Sequence, residues 1–107
     1  KGDYKKLLKK KAHKKYYPHG IGHWMGLDVH DECPYKDENG KEILLQAGMV
    51  MTIEPGIYID ENDTTVPKKY RGIGIRIEDD ILVTLSGHEN LSQGIAKSVK
   101  EIEEISL

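Results

Sequence analysis

From Ile73 to Glu78 the chain alternates strictly, with Ile73, Ile75 and Ile77 at one parity and Gly74, Arg76 and Glu78 at the other. Successive side chains of an extended strand point to opposite faces, so a period of two commits this segment to a strand with one apolar and one charged face. A helix would spread the three isoleucines around its circumference. The segment therefore reads as a strand whose isoleucines pack on one face, while the charged pair on the other wants water, a counter-charge or a metal. Asp79-Asp80 then gives way to a second strand-like run, Ile81–Thr84, and the two runs read as a hairpin closed by a short acidic turn in which Asp80 takes a left-handed conformation. Upstream, "AGMVMTIEPGIYI", Ala47 to Ile59, is rich in β-branched residues and reads as a strand stopped by Pro55-Gly56.

Helical signals sit at the two ends. Tyr4, Leu7, Leu8 and Ala12 fall on one stripe, which predicts a surface helix with a solvated lysine face. Residues 1–15 hold eight lysines and one aspartate, whereas the remainder carries the acidic excess. A basic stretch of this kind can touch nucleic acid or membrane, but its apolar stripe favours the surface helix, so neither partner is expected. "AKSVKEIEEISL", Ala96 to Leu107, predicts a short terminal helix with Ile102 and Ile105 on one side. Tyr35–Ile43, with Asn39-Gly40, reads as a polar turn, "DENDTTVPKKY" as a second polar loop and "LSGHENLS" as another turn.

At 107 residues the chain is one domain or part of one, and its first residue is Lys1 rather than Met, so it reads as a piece of something longer. The lone Cys33 excludes an intrachain disulfide and a Cys-x-x-Cys zinc site, which fits a reducing compartment and a cytoplasmic location. No apolar run approaches the eighteen or so residues of a membrane span.

The chemistry concentrates in "HGIGHWMGLDVHDE", His19 to Glu32, where three of the five histidines fall within one glycine-punctuated stretch read as turn and strand in alternation. Strand alternation adds Arg76 and Glu78 on one face, and Val50, Thr52 and Glu54 on another, with Glu54 just before Pro55-Gly56. Each residue alone reads as an ordinary solvated group. One histidine with two carboxylates is nevertheless a mixed nitrogen and oxygen set suited to Mn, Co, Fe or Zn. The wide sequence separations among His23, Glu54 and Glu78 match no short metal motif, so spacing leaves both readings open.

"HGIGHWMGLDVHD", "GMVMTIEPGIY" and "YRGIGIRIEDDILVT", in this order, closely resemble the carboxy-terminal half of the catalytic domain of the aminopeptidase P (Xaa-Pro aminopeptidase) family, which has the pita-bread metallopeptidase fold. The resemblance runs from about Tyr4 to the end and implies an α+β fold, mainly antiparallel sheet with flanking helices. It makes residues 1–107 the C-terminal portion of a catalytic domain whose upstream half supplies the facing strands. By the same resemblance, His23 is a metal ligand, Glu54 is a ligand and the acid/base group, and Glu78 bridges two divalent ions, with Mn favoured over Co, Zn or Fe. His19 and His30 line the substrate site and help to position substrate and stabilise the tetrahedral intermediate, and Arg76 supports the site beside the bridging carboxylate.

Two aspartate ligands of the family pattern have no counterpart here, since Asp3 lies in the lysine-rich segment and Asp28 and Asp31 belong to the histidine stretch. The implied partners are a peptide with proline at its second position, the missing half of the domain and further copies of the protein. Prolidase is the neighbouring reading, but Trp24 and "YRGIGIRIED" look more like aminopeptidase P. A non-catalytic pita-bread binding module is the other, and such relatives lose ligand residues that His23, Glu54 and Glu78 retain.

Overall fold

The computed structural model describes residues 2–105. Its elements in chain order are helix α1 (Tyr4–Lys9), a 3-10 turn (Ala12–Lys15), strands β1 (Val50–Ile53) and β2 (Gly56–Tyr58), a second 3-10 turn (Lys68–Tyr70), strands β3 (Gly74–Arg76), β4 (Asp79–Thr84) and β5 (Gly87–Asn90), and helix α2 (Val99–Ile105). All strand pairing is antiparallel, and the fold class is α+β as the sequence implies. Contacts divide the chain into two units, one with residues up to Ile21 and Glu54–Ile77, the other with Gly22–Ile53 and the residues from Glu78 onward.

In the first unit, β2 pairs with β3, placing Ile57 opposite Ile75 and Gly56 opposite Arg76. The isoleucines share a side as their alternation predicts, yet Ile57, Ile73, Ile75 and Ile77 remain exposed and line an open apolar groove of about 430 Å³ with Pro55, Ile59 and Tyr70. This apolar face stays open among the described residues. Helix α1 is shorter than its stripe predicts. Asp3 caps it by accepting from the Lys5 amide at 3.0 Å, and Lys11, in the left-handed region at φ 53°, follows its C-terminal end. Tyr4, Leu7 and Leu8 stay exposed.

The polar loop after β2 is held by one carboxylate. Asp63, whose side chain is 5% exposed, pairs with Lys15 Nζ at 2.7 Å and accepts from the Tyr16 hydroxyl at 3.2 Å and the Thr65 amide at 2.9 Å. Lys15 and then Thr65 hold the Asp63 carboxyl well below the usual carboxylate range. A depressed folded-state value gives stability that is present above the unfolded value, about pH 4, and lost as pH falls toward the folded one. Thermal unfolding of Asp63→Asn between about pH 5 and 2 should therefore fall less steeply with acid than that of the parent chain. Equal slopes would remove Asp63 as an acid-sensitive pin.

In the second unit, β4 lies between β1 and β5, with Thr52 opposite Asp80 and Ile53 opposite Asp79. The expected hairpin at Asp79-Asp80 does not form: both residues belong to β4, and the hairpin is instead β4–β5, closed by Leu85 and Ser86. "LSGHENLS" is accordingly a turn followed by a strand. The acidic pair tolerates a strand because Asp79 is met by Lys97 Nζ and Asn90 Nδ2, each at 2.8 Å, while the Asp80 amide donates to Ser92 Oγ at 3.0 Å. The strand stops before Pro55-Gly56 as expected, but Gly56 also opens β2, which the sequence reading does not separate from β1 and which pairs with β3 in a two-stranded sheet. Proline has no N–H to offer a ladder, but its carbonyl accepts from the Ile77 amide at 3.2 Å.

Trp24 is the one buried hydrophobic residue among the described residues, stacked on Tyr35 with centroids 5.6 Å apart and donating its indole N–H to the Pro34 carbonyl. The Asn39-Gly40 turn is present as predicted, between bridged Lys36 and Glu42. Cys33 is exposed and its thiol donates to Asp31 Oδ1 at 3.0 Å. Ser98 and Glu101 cap α2 reciprocally, the Glu101 carboxylate accepting from the Ser98 amide at 2.9 Å and Ser98 Oγ from the Glu101 amide at 3.3 Å. Ser106 and Leu107, included in the expected terminal helix, lie outside the described residues, as does Lys1.

Candidate metal centre

The histidine stretch meets the sheet along β1. Thr52 donates its amide to the His23 carbonyl at 2.9 Å, Met25 donates to the Val50 carbonyl at 3.1 Å, and Trp24 bridges Met51. Thr52 is fully buried and its hydroxyl accepts from the His23 amide at 3.0 Å, so both polar groups of His23's backbone are tied to one strand residue. Gly22 permits this approach. A Cβ at position 22 would lie 1.8 Å from the Thr52 carbonyl oxygen.

The ring of His23 is fixed too. Its Nδ1 lies 2.9 Å from the Trp24 carbonyl. A carbonyl can only accept, so Nδ1 carries the proton and Nε2 the lone pair, the tautomer a metal ligand needs. His30 stands beside it, with ring centroids 4.3 Å apart.

Glu54 follows β1 directly. Its amide donates to the Ile21 carbonyl at 2.7 Å, and its side chain, 13% exposed, lies 3.6 Å from Arg76 Nε. Glu78 directly precedes β4 and is half-buried. Ligand atoms of His23, Glu54 and Glu78 all lie within 4.8 Å of one another. Each of the three offers one donor atom, so together they are a group that could hold a metal ion. Two carboxylates offset the charge of one divalent ion, and the mixed nitrogen and oxygen donors fit Mn, Fe, Co or Zn. A second ion would call for further anionic ligands.

Of the other residues the sequence singles out, Arg76 reaches Glu54 and His30 adjoins His23. His19 has its own surroundings: Nδ1 donates to the Gly20 carbonyl at 2.7 Å, which leaves Nε2 to accept from the Tyr58 hydroxyl at 2.9 Å, with the Tyr17 ring edge-on at 4.8 Å. Thr52 and Tyr58 are the residues that sequence reasoning passes over. Their signals were present but faint: a Thr on the strand that ends in Glu54, and a Tyr two positions after Gly56.

His23, Glu54 and Glu78 are thus a group whose donors could hold a metal ion. Residues 3–85 match the model of metallopeptidase family M24, and the chain belongs to that family. It is 50% identical over 103 residues to the Xaa-Pro aminopeptidase of Escherichia coli (strain K12), covering 96% of this chain and 23% of that protein. Among solved structures, Pseudomonas aeruginosa aminopeptidase PepP superposes with a TM-score of 0.91 at 50% identity, over 98% of this chain and 24% of that one. Zinc-substituted Escherichia coli aminopeptidase P in complex with product gives 0.86 at 48% identity, over 98% and 23%. The chain thus spans about a quarter of the length of the relatives it matches. Among the described residues no helix is long and apolar enough to cross a membrane.

Proposed function

We propose that this chain is the carboxy-terminal part of the catalytic domain of a dinuclear metal-dependent aminopeptidase that releases an N-terminal residue preceding proline. The observation that carries the reading is the convergence of His23, Glu54 and Glu78, in a chain half identical to proteins named for that activity. Divalent ions held by these residues would acidify water and stabilise negative charge on the scissile carbonyl oxygen.

The chain's own residues supply the proton handling. Glu54 takes a proton from the attacking water as its oxygen bonds to the carbonyl carbon, then returns it to the proline nitrogen as the C–N bond breaks. Arg76, 3.6 Å from Glu54 Oε2, holds that carboxylate in place. His30, packed on the ligand histidine, donates where negative charge develops. His19, oriented by Gly20 and Tyr58, lines the substrate site. The open groove along Ile57, Ile73, Ile75 and Ile77 accords with a further portion of the catalytic domain, or another copy, covering that face.

With three ligands of the expected five, the 107 residues alone should bind divalent metal weakly and hydrolyse no Xaa-Pro peptide. Calorimetric titration with Mn(II) or Co(II), alongside a peptide hydrolysis assay, tests this. Tight binding of two equivalents with turnover would show a complete enzyme instead.

A further inference from the structure

We propose that Asp79, Asn90, Ser92 and Lys97 form a clamp that sets the position of Glu78, making Lys97 a positioning residue for the metal ligands although eighteen residues lie between it and Glu78. The inference rests on the metal reading above and extends it to a part of the chain that reading leaves without a role.

Glu78 directly precedes Asp79, the residue with which β4 begins, so whatever fixes Asp79 also fixes the backbone that carries Glu78. The Asp79 carboxylate meets Lys97 Nζ and Asn90 Nδ2 at 2.8 Å and Ser92 Oγ at 3.0 Å. Lys97 directs its three ammonium protons to Asp79, to the Ser92 carbonyl at 2.6 Å and to the Ile95 carbonyl at 3.3 Å. The main chain is held as well. The Asp80 amide donates to Ser92 Oγ, itself 7% exposed as a residue, and the Asp80 carbonyl accepts from the Leu91 amide at 2.8 Å.

The first two residues of β4 are therefore fixed through side chain and backbone, immediately beside the residue that presents a ligand oxygen. Ligand geometry tolerates about 0.5 Å and 10–20° before function suffers. A strand end released from this network would let Glu78 wander beyond that. The clamp also ties down the segment from Asn90 to Lys97, so a purely structural role is the competing explanation, and the two differ in what they change.

The test uses metal-free protein titrated with Mn(II), with free ion followed by electron paramagnetic resonance, which reads weak binding, together with the melting temperature without metal. Lys97→Met and Asp79→Asn should weaken binding by about 10- to 100-fold with melting temperatures close to the parent's, and Lys97→Arg, which can still pair with Asp79, should retain most of the affinity. If Lys97→Met does not fold, Asp79→Asn and Lys97→Arg decide. Parent-like affinity with a lowered melting temperature would overturn the clamp. Glu78→Gln separates the two readings: binding that survives in it removes the metal reading and the clamp with it, whereas binding lost in Glu78→Gln but intact in Lys97→Met overturns the clamp alone.

Discussion

Glu54→Gln, made in a chain of full family length, is expected to lower turnover on an Xaa-Pro peptide by about 10⁴-fold or more while leaving the fold nearly unchanged, because one substitution removes both the metal ligand and the proton carrier proposed at that position. The amide keeps the shape of the carboxylate and still offers an oxygen toward Arg76, now 3.6 Å from Glu54 Oε2, so the loss falls on chemistry rather than packing. His30→Ala, removing one donor from the same site, should cost only about 10²-fold. Steady-state kinetics decides the matter: unimpaired turnover in Glu54→Gln rejects its assigned role, and an equal loss in both variants rejects the division of labour between them.

Gly22→Ala is the most damaging single methyl group the structure allows one to name. The added carbon would sit 1.8 Å from the Thr52 carbonyl oxygen, a backbone atom in a strand that is paired on both sides. No rotamer change can relieve that contact, so the histidine segment must lift off β1. Overpacking a core commonly costs about 1–3 kcal/mol, and with backbone on both sides the expected cost is at or above the top of that range. The chemical denaturation midpoint of Gly22→Ala measures it. Because displacement also carries His23 away from Thr52, metal affinity should fall in the same variant. A midpoint equal to the parent's would mean that the two segments approach less closely than described.

The strands were legible where the signal is local. Ile73, Ile75 and Ile77 announce an extended segment by alternation alone, and Val50–Ile53 does so by its β-branched content. The error at Asp79-Asp80 has a nonlocal cause: adjacent aspartates suit a turn until Asn90, Ser92 and Lys97 supply their partners, and nothing near position 79 announces those donors. The separate strand that begins at Gly56 was missed because Pro-Gly is a strong local stop, and only the opposing β3 shows that a new pairing starts there.

The metal group is a harder case. Spacing left both the metal and the solvated reading of His23, Glu54 and Glu78 open, and the ordered motifs rather than the intervals pointed to one site. The burial of Thr52 was not readable at all, because a threonine on a strand can face either way until the neighbouring segment is known.

The contact between Cys33 and Asp31 bears on how this chain meets oxidants and alkylating reagents. Thiol reactivity belongs to the thiolate, and hydrogen bonding to Asp31, reinforced by burial and the nearby negative charge, pushes the Cys33 thiol above its ordinary value. The thiolate fraction of an exposed sulfur is thus lowered by a neighbour two residues away. Its accessibility favours covalent dimers and adducts, and its suppressed ionisation slows both, so the chain's one cysteine is chemically quieter than its place on the surface would imply.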